Sequence, residues 1–185
     1  SPVSTTKQGF FSLIDSMTVL YLARHGETVD NANQMMQGQV QGQLNQHGIL
    51  QAEQLRDQLQ NEPLDAIVAS DLKRSIDTAM IVAAPHGLKV ITTPLLRERD
   101  WGAFTGRYIP DLKNEPWPDD VEPLPALQER ARQFLDYVKR EFAGQRVLAV
   151  GHGIVNKAIQ AVFYGKQMNE IGRMVNCEVR RLELV

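Results

Sequence analysis

A chain of 185 residues suits one domain with a sizeable core, and 43% hydrophobic with 23% charged residues is an ordinary balance for a folded protein. A net charge of -2, with no lysine/arginine cluster interleaved with aromatics, argues against nucleic acid as a partner, and the longest apolar run is too short to span a bilayer. The single cysteine, Cys177, excludes an intramolecular disulfide and suits a cytoplasmic setting, while His25, His47, His86 and His152 are scattered without metal-ligand spacing.

Residues 1–16 carry a mostly apolar patch at 10–14 but lack the charge pattern and cleavage site of a signal peptide. They are expected to form an extension of unassigned role before Met17, leaving 17–185 as a single domain. Residues 18–23 (TVLYLA) read as a buried strand that runs into Arg24-His25-Gly26-Glu27-Thr28. A polar, glutamine-rich loop over 31–46 leads to a helix over 48–60, with Ala52, Leu55 and Leu59 on one face. Residues 66–69 form a second strand, and Ser70-Asp71 is placed to cap a helix over 72–84. A third strand is expected over 89–92, then a Gly-, Pro- and Asp-rich excursion over 97–125 with little regular structure. Leu127, Ala131, Phe134, Leu135, Val138 and Phe142 make one stripe of a helix over 126–142, stopped by Gly144. A fourth strand (146–150) ends at Gly151-His152-Gly153, a helix covers 154–163, and 177–184 reads as a last strand that includes Cys177.

Short apolar strands alternating with amphipathic helices predict an α/β fold, a sandwich with a mostly parallel central sheet. In such sheets ligands bind beyond the carboxyl ends of the strands, where both His25 and His152 fall.

The residue types at these ends suit phosphoryl transfer. A neutral imidazole at His25 is a nucleophile for phosphorus, and Gly26 beside it removes side-chain bulk. A second, protonated histidine at 152 would donate to phosphoryl oxygens, as would backbone amides of the helix that begins near Gly153. Arg74, near a helix start after a strand, is placed to fork onto two phosphate oxygens. Glu98 and Asp100 both offer a carboxylic acid for the leaving group, and the residues alone leave that choice open. Trp101 and Trp117 would stack on a ring-shaped substrate or pack in a lid.

These blocks, in this order, resemble the histidine phosphatase superfamily, also called the phosphoglycerate mutase-like family. The resemblance rests on LARHGET with Asn31, on Gln37-Gly38, on LNQHG, on SDLKRS with Thr78-Ala79, on LRERDWG with Gly106, and on VGHG. It implies a three-layer α/β/α sandwich and a reaction without metal or cofactor. His25 would be the phosphorylated nucleophile, Arg24, Arg74 and His152 the phosphate pocket, and Glu98 the proton donor. Asn31, Gln37, Gly38 and Gly153 match positions that touch substrate, and Gly26, Glu27 and Thr28 complete the strand-end block expected around it. The loop departs from the family pattern: Gln41, Gln43 and Asn45 stand where aspartate, proline and threonine are usual, which puts its ordering in doubt.

Mutases of this family carry a long basic insertion between the acid and the second histidine. Here 54 positions separate Glu98 from His152, and the stretch 107–125 is acidic, poorly suited to a second anion. The expected activity is therefore phosphomonoester hydrolysis on a small phosphorylated metabolite. The alternatives are mutase-type transfer and a non-catalytic phospho-ligand binder.

Overall fold

The computed structural model describes residues 17–185, so the extension expected over 1–16 lies outside the described residues. β-Branched and aromatic residues that alternate in direction make β1 (Thr18–Arg24) a strand buried along its whole length. Val19, Tyr21 and Ala23 face one side of the sheet, and Leu20 and Leu22 face the other. The remaining strands are β2 (Ala66–Ser70), β3 (Val90–Thr93), β4 (Arg146–Gly151) and β5 (Val179–Leu184). They lie in the order β3-β2-β4-β1-β5, parallel except for β5, which pairs antiparallel with β1.

The helices are α1 (Val29–Ala32), α2 (Gln46–Leu59), α3 (Lys73–Ala83), α4 (Leu124–Glu141) and α5 (Gly153–Tyr164). Leu55 and Leu59 of α2 pack with Ala79 and Val82 of α3 on the Val19–Tyr21 side. Leu127, Ala131, Phe134, Leu135 and Val138 of α4 pack with Val155 and Ile159 of α5 on the other. The result is the expected three-layer α/β/α sandwich. Because β4 inserts between β1 and β2, the chain runs outward from β1 on one side and returns on the other. The carboxyl ends of β1 and β4 thus flank the switch point where such sheets bind ligands.

The element boundaries shift for identifiable reasons. α4 begins two residues before the expected 126 because Pro125 sits in its first turn, where a missing N–H costs nothing. α2 begins at Gln46 because the Asn45 carboxamide caps it, accepting from Gly48 N–H at 2.7 Å. β5 starts at Val179 rather than 177: Cys177 has φ +59 and its N–H turns back to the carbonyls of Arg24 (3.0 Å) and His25 (3.3 Å). Cys177 therefore belongs to a turn, not to a core strand. The excursion after β3 holds short 3-10 turns at Gly102–Phe104 and Ile109–Leu112, closed over Phe104, Leu112 and Val121.

Ser70-Asp71 does not cap α3. Its N-cap is Leu72, without a side-chain bond; Ser70 turns toward His152 and Asp71 toward Arg97. Gln41 fills the gap, its carbonyl oxygen Oε1 accepting from Lys73 N–H at 2.9 Å. Two of the loop's departures thus have a structural use, since Gln41 caps α3 and Asn45 caps α2.

Candidate active site

His25 leaves the end of β1 into a fully packed environment, 3% exposed. Its Nδ1 lies 2.7 Å from the Gly26 carbonyl, which only accepts, so Nδ1 carries the proton and Nε2 holds the free lone pair. Burial holds the His25 pKa well below that of a free histidine, with Arg74 and then Arg24 adding to the effect. The ring is therefore neutral at pH 7, as a nucleophile requires.

His152 ends the turn after β4, its ring centroid 5.0 Å from that of His25. It is completely buried, and burial with the Arg74 and His25 fields keeps its pKa low too. It is thus neutral at pH 7, so any bond it donates to a phosphoryl oxygen is that of a neutral imidazole. Its Nε2 sits 2.7 Å from Ser70 Oγ and 3.1 Å from Ser75 Oγ. Ser70 Oγ also accepts from Leu72 N–H, and with the hydroxyl proton directed at Nε2 the ring proton lies on Nδ1. That Nδ1 is buried with no partner among the described residues.

Arg24 and Arg74 complete the pattern. Arg24 Nη1 donates to the Met174 carbonyl at 2.8 Å. Arg74, 1% exposed, donates through Nη2 to the Gly38 carbonyl at 2.6 Å and through Nη1 to the carbonyls of Val40 and Gln41, pulling the 38–41 loop over the site. Burial brings the Arg74 pKa down to about 10, so it stays charged at neutral pH. The Nε of both arginines is buried and unpartnered among the described residues. Three unused N–H donors (Arg24 Nε, Arg74 Nε, His152 Nδ1) beside a nucleophilic nitrogen are costly unless an anion satisfies them.

Glu98 supplies the carboxyl. Oε1 accepts from the N–H groups of Arg99 (2.8 Å) and Val155 (2.9 Å), and Oε2 from that of Ile154 (3.0 Å). The first turn of α5 thus orients it. Arg130 of α4 holds the segment behind it, donating to the carbonyls of Leu95, Arg97 and Glu98 and pairing with Glu122 at 2.8 Å. Asp100 points elsewhere, accepting from Gly102 N–H, so Glu98 is the carboxylate at the cavity.

These groups open into a cavity of about 330 Å³. Of the residues singled out from sequence, Arg24, His25, Asn31, Gln37, Gly38, Arg74, Glu98 and Gly153 line it. His152, fully buried beside the His25 ring, is not in the lining. Gly26, Glu27 and Thr28 lie outside that lining. A Cβ at Gly26 would come 2.5 Å from the Gly48 carbonyl oxygen, so glycine there permits packing on α2. Glu27 accepts from Asn45 Nδ2 at 2.8 Å, and Thr28 caps α1 in a reciprocal box with Asn31. Trp101 lines the cavity while Trp117 packs against it edge-on, 5.4 Å between centroids. Sequence reading missed Met35, Met36, Ile109, Lys157 and Arg173 in the wall. Lys157 alone had a usable signal, one turn after Gly153 on the same helix face.

The comparisons with known proteins identify the family to which this fold and buried histidine pair belong. The model of the histidine phosphatase superfamily (branch 1) matches residues 20–185, and the chain belongs to that family. It is 31% identical over 183 residues to the probable phosphoglycerate mutase GpmB of Yersinia pestis, covering 90% of this chain and 85% of that one. A mycobacterial glucosyl-3-phosphoglycerate phosphatase solved with VO3 superposes with TM-score 0.81 at 25% identity, over 88% of this chain and 91% of that one. A putative alpha-ribazole-5'-P phosphatase from Escherichia coli gives TM-score 0.81 at 26% identity, over 90% of each chain. No helix among the described residues is long and apolar enough to cross a membrane.

Proposed function

We propose that this protein is a metal-independent phosphomonoester hydrolase acting on a small phosphorylated metabolite through a phosphohistidine at His25. The observation that carries the reading is the His25 Nδ1 bond to the Gly26 carbonyl, which leaves Nε2 unprotonated beside three unused buried donors. Arg24, Arg74 and His152 hold the phosphoryl oxygens. Nε2 attacks phosphorus in line as the P–O bond breaks, and Glu98 passes a proton to the leaving oxygen. Glu98 Oε2, with one N–H donor against two at Oε1, is the atom that carries it. Water then attacks phosphorus, its proton passes to Glu98, and the P–N electron pair returns to Nε2. The reaction needs no metal for charge neutralisation, because two guanidinium groups already do that work.

The relatives' names support phosphatase and mutase chemistry alike: one is a glucosyl-3-phosphoglycerate phosphatase, one is named a putative alpha-ribazole-5'-P phosphatase, and GpmB is a probable phosphoglycerate mutase. Mutase-type transfer is the second reading for that reason. The deciding experiment follows phosphate release from a phosphomonoester panel with EDTA present, for wild type and His25→Ala. It runs beside an assay for 2-/3-phosphoglycerate interconversion. Turnover that survives EDTA and vanishes in His25→Ala is expected. Interconversion faster than phosphate release would overturn hydrolysis in favour of the mutase.

A further inference from the structure

The packed face of α5 is apolar at Val155 and Ile159, yet it also buries two carboxamides. Asn156 and Gln160 stand four residues apart on one face, 0% and 2% exposed. A buried carboxamide is costly unless its N–H groups are met, and leucine would fill the same space without that cost. Asn156 Nδ2 donates to the Ala23 carbonyl at 3.0 Å and to Met174 Sδ at 3.7 Å. Gln160 Nε2 donates to the Asn156 carbonyl at 3.0 Å and to the same sulfur at 3.5 Å. Both hydrogens of each NH2 are thus used, and the Ala23 carbonyl, which only accepts, fixes which way the Asn156 amide faces. Gln160 Oε1 accepts from Arg180 Nη1 at 2.9 Å, and that guanidinium also donates to the carbonyls of Gly172 (2.9 Å) and Arg173 (3.2 Å).

The loop between α5 and β5 is therefore pinned at Met174, whose side chain is buried against α5. The Met174 carbonyl in turn accepts from Arg24 Nη1 at 2.8 Å. Ala23, whose carbonyl Asn156 takes, is the residue before Arg24. Arg24 is thus held at its backbone and at its guanidinium by groups that converge on one carboxamide. Gly153 closes the other side: a Cβ there would stand 3.5 Å from Arg24 Nε and 3.6 Å from Cζ.

We propose that Asn156, acting through Met174, is a positioning residue for Arg24, holding the guanidinium ready for a phosphoryl oxygen. This rests on reading Arg24 as a ligand of the phosphoryl group. A free arginine side chain samples many rotamers, and ordering it before substrate arrives removes that cost from binding and from the transition state.

A double-mutant cycle tests this, with 4-nitrophenyl phosphate or the best compound of the phosphomonoester panel. Asn156→Leu keeps the side chain's shape and removes its donors, and Arg24→Ala removes the group it positions. Asn156→Leu alone should lower kcat/KM about tenfold or more, the worth of a hydrogen bond to a charged group. In the Arg24→Ala background it should cost less than about twofold, because the two act as one unit. The same loss in both backgrounds, as general loosening of the fold would give, overturns the proposal, and so does no loss in wild type. Nitrogen-15 NMR of the Arg24 guanidinium, assigned by its absence in Arg24→Ala, reads the tether without turnover and decides where rates are too slow to compare. Separate Nη signals in wild type that merge in Asn156→Leu uphold the proposal, and separate signals in both overturn it. Met174→Leu, which removes only the sulfur acceptor, takes the same measurements with the same outcomes if Asn156→Leu does not fold. If wild type hydrolyses no compound of the panel, the hydrolase reading fails instead, and the NMR signals alone decide the positioning.

Discussion

The Ser70 hydroxyl stands 2.7 Å from Nε2 of His152, and the opposite nitrogen of that ring, Nδ1, is buried without a partner among the described residues. A hydroxyl that donates to Nε2 forces the ring proton onto Nδ1, so a neutral imidazole can still donate to a phosphoryl oxygen. Ser75 backs the same atom at 3.1 Å. In Ser70→Ala/Ser75→Ala this control is lost, and kcat should drop about 10-fold or more, the worth of one hydrogen bond to a charged group. Nitrogen-15 NMR of His152 should move from one tautomer to a mixture. A full rate with a single Nδ1–H tautomer would dismiss the serines as positioning groups.

Glu98 is expected to matter in proportion to the difficulty of the leaving group. Glu98→Gln cannot give up a proton, so alkyl phosphates should lose roughly 10²–10⁴-fold in kcat. 4-Nitrophenyl phosphate, whose leaving group needs little help, should lose far less in the phosphorylation step. Equal losses across a leaving-group series would remove Glu98 from the proton-donor role.

Stability should fall in mild acid. His25 and His152 have folded pKa values well below the ordinary 6.5, so below about pH 6.5 the unfolded chain takes up protons that the folded chain refuses. Each histidine should then cost up to about 1.4 kcal/mol per pH unit as pH falls from 6.5 toward its folded pKa. Urea unfolding at pH 7.5 and 5.5 measures this, and His152→Gln should flatten the slope.

The contact between Gly26 and Gly48 should be intolerant of bulk. A Cβ at Gly48 would lie 2.0 Å from the Glu27 carbonyl oxygen, a backbone atom that cannot swing aside. Gly48→Ala is expected to destabilise by about 1–3 kcal/mol and to lower turnover by shifting the strand end that carries His25. Denaturant unfolding and kcat on the same sample measure both effects.

Burial pushes the Cys177 thiol up to about 12, so almost none of it is thiolate at pH 8. A disulfide reagent should leave the native protein unlabelled over minutes and label it at once in guanidinium. Fast native labelling would mean that the turn before β5 opens.

Strand and helix positions were legible because their signals are local. The continuous apolar run at 18–23 buries both faces of a strand, and the Leu127–Phe134–Val138 stripe buries one face of a helix, whatever their partner. The pair His25 and His152 could be read from two Gly-flanked histidines at strand ends, and the motif blocks carried Arg74 and Glu98. Ser70 was misread as a cap because a hydroxyl has several acceptors within reach. Its real partner lies 82 residues away, visible only once β2 and β4 are adjacent. Likewise the hold of Arg130 on residues 95–98 and the place of Lys157 and Arg173 in the wall of one cavity depend on how α4, α5 and a loop converge.

The sequence by itself determined the layered α/β fold, the strand ends that face a ligand and the chemical types gathered there, since these follow from periodicity and from residues adjacent in the chain. Only the tertiary structure decided which nitrogen of His25 is free, which carboxylate meets the cavity and which cations line it. Those are matters of distance between groups far apart in the chain, and packing alone sets them.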